Sequence, residues 1–196
     1  MTEKIRTFIA IELPDNIIDA IGNMQKKIKQ CGLKIRWVRP ENIHITLKFL
    51  GDIAPKMIQS IESCLEQTCK KNNPIQLLSK GIGVFPGLKR PRVLWAGIDG
   101  DTDILKKLQQ SLDDLLSTTG IAKEKRPFKG HLTIGRFKGE RFKGQTDSKK
   151  LISVIREFSE FETKPFTADK IILFKSELKP DGATYSKLAT APLHGV

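Results

Sequence analysis

Residues 43–50 read Ile43-His44-Ile45-Thr46-Leu47-Lys48-Phe49-Leu50, and their central tetrad returns 87 residues later as His131-Leu132-Thr133-Ile134. The chain holds three histidines, and two of them stand in this His-x-Thr-hydrophobic frame. Apolar and polar residues alternate in each copy, as in a half-buried strand, so the histidine and the threonine two places on share one face. Two such strands facing each other put two imidazoles and two hydroxyls around one small space.

Working outward, residues 5–13 have a strand pattern, and Pro14-Asp15 opens a helix with Ile17, Ile18, Ile21, Met24 and Ile28 on one face. A short strand at 34–38 and a turn at Pro40-Glu41-Asn42 lead into the first motif strand, 43–50, which Gly51-Asp52 closes. A second helix is expected from about residue 55 to 71, with Ile58, Ile61, Cys64 and Leu65 inward, then strands at 75–84 and 91–98. A third helix, from Asp101 or Thr102, carries Ile104, Leu105, Leu108, Leu112, Leu115 and Leu116 as its apolar stripe and Gly120 as its C-cap. The second motif strand covers 131–137, and a helix near 148–158 and strands near 166–175 and 183–190 follow. This order predicts an α+β fold with antiparallel sheets rather than a regular parallel one. The repeated tetrad and the matching content of the halves predict two pseudo-symmetric lobes with outer helices, one domain over residues 1–196, and a site in the groove between the lobes.

Lys and Arg number 34 against 22 Asp and Glu, a net charge of +12. That balance favours polyanionic partners, because cations that neutralise phosphates release condensed counterions. Charge alone does not separate this from a generic basic surface. Cys31, Cys64 and Cys69 are odd in number and lack zinc-ligand spacing, so reduced thiols in a cytoplasmic protein are expected. The apolar run near the N-terminus is broken by Arg6 and Glu12, too short and too charged for a signal peptide or a membrane span. A monomer with no membrane partner is expected.

Cleaving a phosphodiester without metal requires a base to activate the nucleophile and an acid to protonate the leaving oxygen. Histidine suits both roles near neutral pH, its unperturbed pKa being about 6.5. His44 and His131 on opposite sides of a phosphorus hold an in-line geometry, and Thr46 and Thr133 donate hydrogen bonds to the non-bridging oxygens where charge develops. A single tetrad is weak evidence, since a strand histidine is often structural; two copies using two of three histidines carry far more. No third histidine or nearby carboxylate joins either tetrad, so neither a metal nor another cofactor is expected. No Gly-x-Ser-x-Gly stretch supports a serine nucleophile. His194, in the tail, has no matching context.

Residues 123–150 hold ten Lys or Arg, with Phe128, Phe137 and Phe142 among them. Cations interleaved with aromatics suit a phosphate backbone and stacked bases, and the group is expected to form an RNA-entry surface beside His131. For any single phenylalanine a core position is the simpler expectation. Arg136 is the strongest candidate phosphate ligand. Strict alternation puts it opposite His131, so it reaches the site only through a twist or bulge near Gly135. Lys48 shares the His44 face by alternation, where it either adds positive charge to the site or faces solvent.

These residues and their flanks resemble the two-histidine (2H) phosphoesterases, most closely the RNA 2′,3′-cyclic phosphodiesterases once named 2′-5′ RNA ligases. The likeness runs through Arg6-Thr7-Phe8-Ile9-Ala10, Trp37-Val38-Arg39-Pro40-Glu41-Asn42, both tetrads, Phe85-Pro86, Pro91-Arg92-Val93-Leu94-Trp95 and Gly182-Ala183-Thr184-Tyr185. It implies a bilobal α+β fold with a pseudo-twofold axis, no metal, and hydrolysis of RNA terminal 2′,3′-cyclic phosphate to a 2′-phosphomonoester. It places His44 and His131 as catalytic residues, Thr46, Thr133 and Arg136 as substrate-binding residues, His131 as the base and His44 as the acid. Gly130 departs from the proline that relatives commonly carry there. Three other readings stay open: 2′-5′ ligation with a 5′-hydroxyl in place of water, an RNA-end-binding module without turnover, and a phosphodiesterase for small cyclic nucleotides.

Overall fold

The computed structural model describes residues 4–137, 145–180 and 182–195. β1 (Ile5–Glu12) leads through α1 (Asp15–Gln30), β2 (Ile35–Trp37) and a 3-10 turn (Pro40–Asn42) into the first motif strand, β3 (His44–Ile53). A second 3-10 turn (Pro55–Met57) opens α2 (Ile58–Cys69), and β4 (Ile75–Phe85) and β5 (Val93–Gly100) come next. α3 (Thr102–Thr118) precedes the second motif strand, β6 (His131–Phe137). The chain ends with α4 (Gln145–Glu157), β7 (Phe166–Ala168), β8 (Lys170–Lys179) and β9 (Gly182–Pro192).

The strands form one sheet in the order β7-β4-β5-β6-β3-β1-β8-β9, with β2 added on β6. Reading outward from the β6–β3 junction, β5 answers β1, β4 answers β8 and β7 answers β9. Connectivity repeats as well: β1-α1-β3-α2 matches β5-α3-β6-α4, and the chain crosses to the opposite half directly after α2 but only after adding β7 to its own half following α4. The expected strand at 166–175 is therefore two. β7 pairs with β4 in one half and β8 with β1 in the other, with Asp169 between them. No straight strand reaches both places, which is why the chain breaks there.

Helix periodicity sets what is buried. α1 buries Ile17, Ile21, Met24 and Ile28, and α3 buries Leu105, Leu108, Leu112 and Leu116, each set spaced for one helical face. Ile104 falls outside that stripe and is 45% exposed. β3 also runs past its expected end: Gly51 pairs with Thr7 and takes a left-handed φ of 73° inside the strand. Cys64 and Cys69 are buried free thiols and Cys31 is partly buried. Among the described residues no helix is long and apolar enough to cross a membrane.

Two buried polar side chains fasten helices to the motif strands. Gln25 of α1 donates from Nε2 to the carbonyls of Val38 (2.9 Å) and Ile134 (2.8 Å). Lys48 of β3 pairs with Asp113 of α3 at 2.5 Å and donates to the Ala122 carbonyl at 2.7 Å, while Asp113 accepts the Glu124 N–H. Lys48 is 6% exposed, so neither expectation for it holds: it faces neither the site nor solvent. Leaving one charge of such a pair buried alone costs about 3–5 kcal/mol. Lys48→Met is expected to lose that much stability in urea unfolding. Adding Asp113→Leu recovers part of the loss, because the stranded carboxylate goes with its partner; a double variant no more stable than the single one refutes this account.

Candidate active site at the junction of the motif strands

Among the described residues, β3 and β6 share one registered pair, Ile45 with Leu132, and both side chains are fully buried. Antiparallel register carries this one step each way: His44 lies across from Thr133, and Thr46 lies across from His131. With Ile45 and Leu132 turned to the core, all four point to the other face. They form a crossed quartet in which each histidine has the other strand's threonine as its neighbour. A groove of about 570 Å³ opens over this face, lined by His44, Thr46, Thr133 and Arg136. His131 ends the quartet on the side of Phe85, and its charge still reaches His44.

Both motif strands are bulged at the same place. Ile9 and Ala10 of β1 pair with Lys48 and Thr46, leaving Leu47 as the extra residue of β3. Leu94 and Trp95 of β5 pair with Gly135 and Thr133, leaving Ile134 as the extra residue of β6. Each bulge lies three residues after its histidine and reverses the pleat beyond it. Lys48 and Gly135 are thereby turned inward, and Phe49 and Arg136 are turned to the groove. The bulge near Gly135 that Arg136 requires is present. Gly135 is also sterically required, since a Cβ there would lie 2.4 Å from Ile35 Cγ2.

The two imidazoles are held alike. His44 Nδ1 lies 2.8 Å from the Asn42 carbonyl and His131 Nδ1 lies 2.7 Å from the Lys129 carbonyl. A carbonyl only accepts, so Nδ1 carries the hydrogen in both rings and Nε2 is the free lone pair when the ring is neutral. The bond alone is no mark of function, because exposed His194 makes the same contact with the Pro192 carbonyl at 2.8 Å. What differs is the setting. His44 stacks on Phe8 at a centroid distance of 4.7 Å with Tyr185 at its edge, and His131 meets the edge of Phe85 at 5.1 Å. Asn42 in turn donates to the Ala183 carbonyl at 2.8 Å, anchoring the turn before His44 on β9.

Burial lowers the pKa of His44 to about 4, against the bond to Asn42, which raises it; the nearby charges of Arg136 and His131 lower it further. Burial also raises the Tyr185 hydroxyl pKa. Among the described residues no three His, Cys, Asp or Glu side chains gather as metal ligands would.

Of the basic run at 123–150, Arg136 alone among the described residues lines the groove. Phe137 is 7% exposed and Phe128 is partly buried against the core, and neither lines the groove. Lys123 pairs with Asp114 and Arg126 with Glu124 at the surface. Lys138, Arg141, Phe142 and Lys143 lie outside the described residues. The groove's cations beside Arg136 are Arg6, Arg36 and Arg39 instead. Arg36 comes in because β2 pairs with β6, which sets Arg36 directly opposite Arg136. Nothing local in the sequence announces that pairing.

A sequence model described as LigT-like phosphoesterase matches residues 11–95 and 98–185. Relatives named RNA 2′,3′-cyclic phosphodiesterase include one from Methanocaldococcus jannaschii, 36% identical over 92% of this chain and 96% of its own length. Another, from Methanothermobacter thermautotrophicus, is 32% identical over 94% of this chain and 97% of its own length. Among solved structures, a Thermus thermophilus protein superposes with a TM-score of 0.77 at 24% identity, covering 97% of this chain and 98% of that one. E. coli LigT complexed with 3′-AMP gives 0.75 at 22%, covering 97% and 99%. At these identities the two superpositions establish a shared fold, the α+β architecture with curled antiparallel sheet and outer helices.

His44 makes stability depend on pH. The fold prefers the neutral ring, so its contribution is complete above the unfolded value near 6.5 and is lost as pH falls from there through about 4. Unfolding free energy of the wild type is expected to drop about 3 kcal/mol more than that of His44→Asn between pH 7 and pH 3.5. Parallel curves for the two proteins contradict it.

Proposed function

The chain belongs to the LigT-like phosphoesterase family, and from that premise we propose that it hydrolyses 2′,3′-cyclic phosphate ends of RNA by acid–base catalysis between His44 and His131, without a metal ion. The observation that carries this reading is the crossed quartet. His44, Thr46 and Thr133 line one groove, an arginine is turned into it by a bulge, and His131 ends the quartet on the same face of the motif strands. The relatives' names supply the substrate, and the net charge of +12 suits a polyanion. Because each half provides one histidine and one threonine, residues 1–196 act as one functional domain.

In the reaction, His131 accepts a proton through Nε2 from a water whose oxygen attacks phosphorus. The bond from phosphorus to O3′ breaks, and O3′ takes a proton from His44, leaving a 3′-hydroxyl and a 2′-phosphomonoester. Thr46 and Thr133 donate to the non-bridging oxygens as their charge grows, and Arg136 neutralises it. His44 is neutral in the free protein, so the acid role requires that it gain a proton as the anion binds. The phosphate charge favours that gain.

The low pKa of His44 favours a second arrangement of the same site. There His44 takes the proton from water, His131 gives one to O2′, and the product is a 3′-phosphate. An RNA ending in 2′,3′-cyclic phosphate distinguishes the two by its product. In either case His44→Ala and His131→Ala are each expected to lower kcat/KM by about 10²–10⁴-fold while the protein stays folded, and EDTA leaves the rate unchanged. Full activity in either variant, or loss of activity in EDTA, rejects the mechanism.

A further inference from the structure

Residues 20–40 hold six Lys or Arg and no Asp or Glu, which is half of the net charge of +12. This segment contains β2, which lies on β6 with Arg36 directly opposite Arg136. Ile35 packs against the core where a Cβ on Gly135 would go, so Arg36 turns to the other face, and both arginines line the groove. Like charges directly opposite each other destabilise an antiparallel pair. Among the described residues no carboxylate pairs with either arginine, and the groove wall carries four arginines with no Asp or Glu. Two cations held face to face on such a wall are arranged for an anion between them.

In the proposed reaction Arg136 serves the phosphate at the quartet, and its charge reaches His44. Arg36 stands at the level of Arg136, three strand residues beyond Thr133, which is at most about 10 Å. That is a distance on the scale of one nucleotide. A cyclic phosphate occupies both O2′ and O3′, so an RNA strand leaves its terminal nucleotide only through O5′, and the next negative charge is the phosphodiester there. We propose that Arg36 binds the phosphodiester on the 5′ side of the terminal nucleotide, which makes the groove a site for an RNA end rather than for a cyclic mononucleotide. This rests on the cyclic-phosphate reading and deepens it by a second phosphate subsite. Beyond Arg36 the cationic surface continues: Lys34 is exposed, and Lys29 lies over the Trp37 ring at 5.5 Å. An acidic protein segment is the competing occupant of this surface. The place of Arg36, one nucleotide from the paired histidines and opposite a phosphate-binding arginine, favours RNA.

The test compares adenosine 2′,3′-cyclic phosphate ending in a 5′-hydroxyl with the same nucleotide carrying a 5′-methyl phosphodiester, which reproduces the next link of a strand. The wild type is expected to prefer the diester form. Arg36→Ala is expected to lower the ratio of the two kcat/KM values about 5- to 30-fold, mainly through KM, as loss of a hydrogen bond to a charged group does. Arg36→Lys, which keeps the charge, retains part of the preference. Because Arg36 is exposed, the melting temperature serves as the check that the variants fold. A ratio unchanged by Arg36→Ala, or a wild type without preference, overturns the proposal and leaves the surface to another partner. Direct titration with adenosine 2′-phosphate, with and without the 5′-methyl phosphodiester, separates this failure from that of the hydrolytic reading. If the wild type turns over neither cyclic phosphate, a loss of binding in Arg36→Ala confined to the diester form still supports the subsite, whereas equal losses or none overturn it.

Discussion

Ile45 meets Leu132 at the centre of the sheet, and everything on the groove side depends on that pairing. Each half is otherwise a nearly complete antiparallel unit, and among the described residues the two motif strands register at this pair and then part. Both side chains are fully buried in a continuous apolar cluster with Ile9, Leu94 and Ile134. Hydrophobic burial therefore sets the register, and register sets which residues face each other. A slip of either motif strand by one residue would send its histidine and threonine into the core and its aliphatic chains to water, so the alternative is heavily disfavoured. The quartet's geometry is a by-product of core packing.

A strand with perfect alternation would have continued the pattern, with Lys48 and Gly135 on the groove side. The bulges prevent this, and each is held by different means. In β6 the carbonyl of the extra residue, Ile134, accepts both Gln25 Nε2 and the Val38 N–H, and Ile35 packs where a Cβ on Gly135 would go. In β3 the residue turned inward is a lysine whose charge is met by Asp113 on α3. The backbone is matched between halves while the side chains are not, so one symmetric frame presents two unlike groups. Duplicated local geometry with diverged chemistry suits a ligand whose two ends differ.

Much of this is legible in the residues, and the failures share a cause. The helical stripes of α1 and α3, the strand character of both tetrads and the shared face of His44 with Thr46 all follow from periodicity within a few residues. Gly135 even marks its own bulge. Lys48 misleads because its bulge carries no glycine: Leu47-Lys48 has the sequence of a regular strand, and the reason it departs from one is Asp113, far along the chain on α3. Arg36 escapes a sequence reading for the same reason, since its place is decided by β2 pairing with β6. The basic, phenylalanine-bearing run at 123–150 stands out by composition, yet Phe137 is core, because composition does not say which way a strand residue points.

The electrostatics of His44 connect the fold to the proposed chemistry. Its ring is neutral because it is partly buried against Phe8 and lies near other positive groups, and these same features suit the place to an anion. A phosphate entering the groove brings negative charge close to His44 and offsets the influence of Arg136 and His131. Uptake of the anion and uptake of a proton at His44 are then coupled, each favouring the other. A group neutral at rest and charged only with substrate present avoids the cost of a permanent buried cation beside Arg136. The burial that disfavours protonation in the empty groove therefore makes acid strength depend on whether an anion is bound.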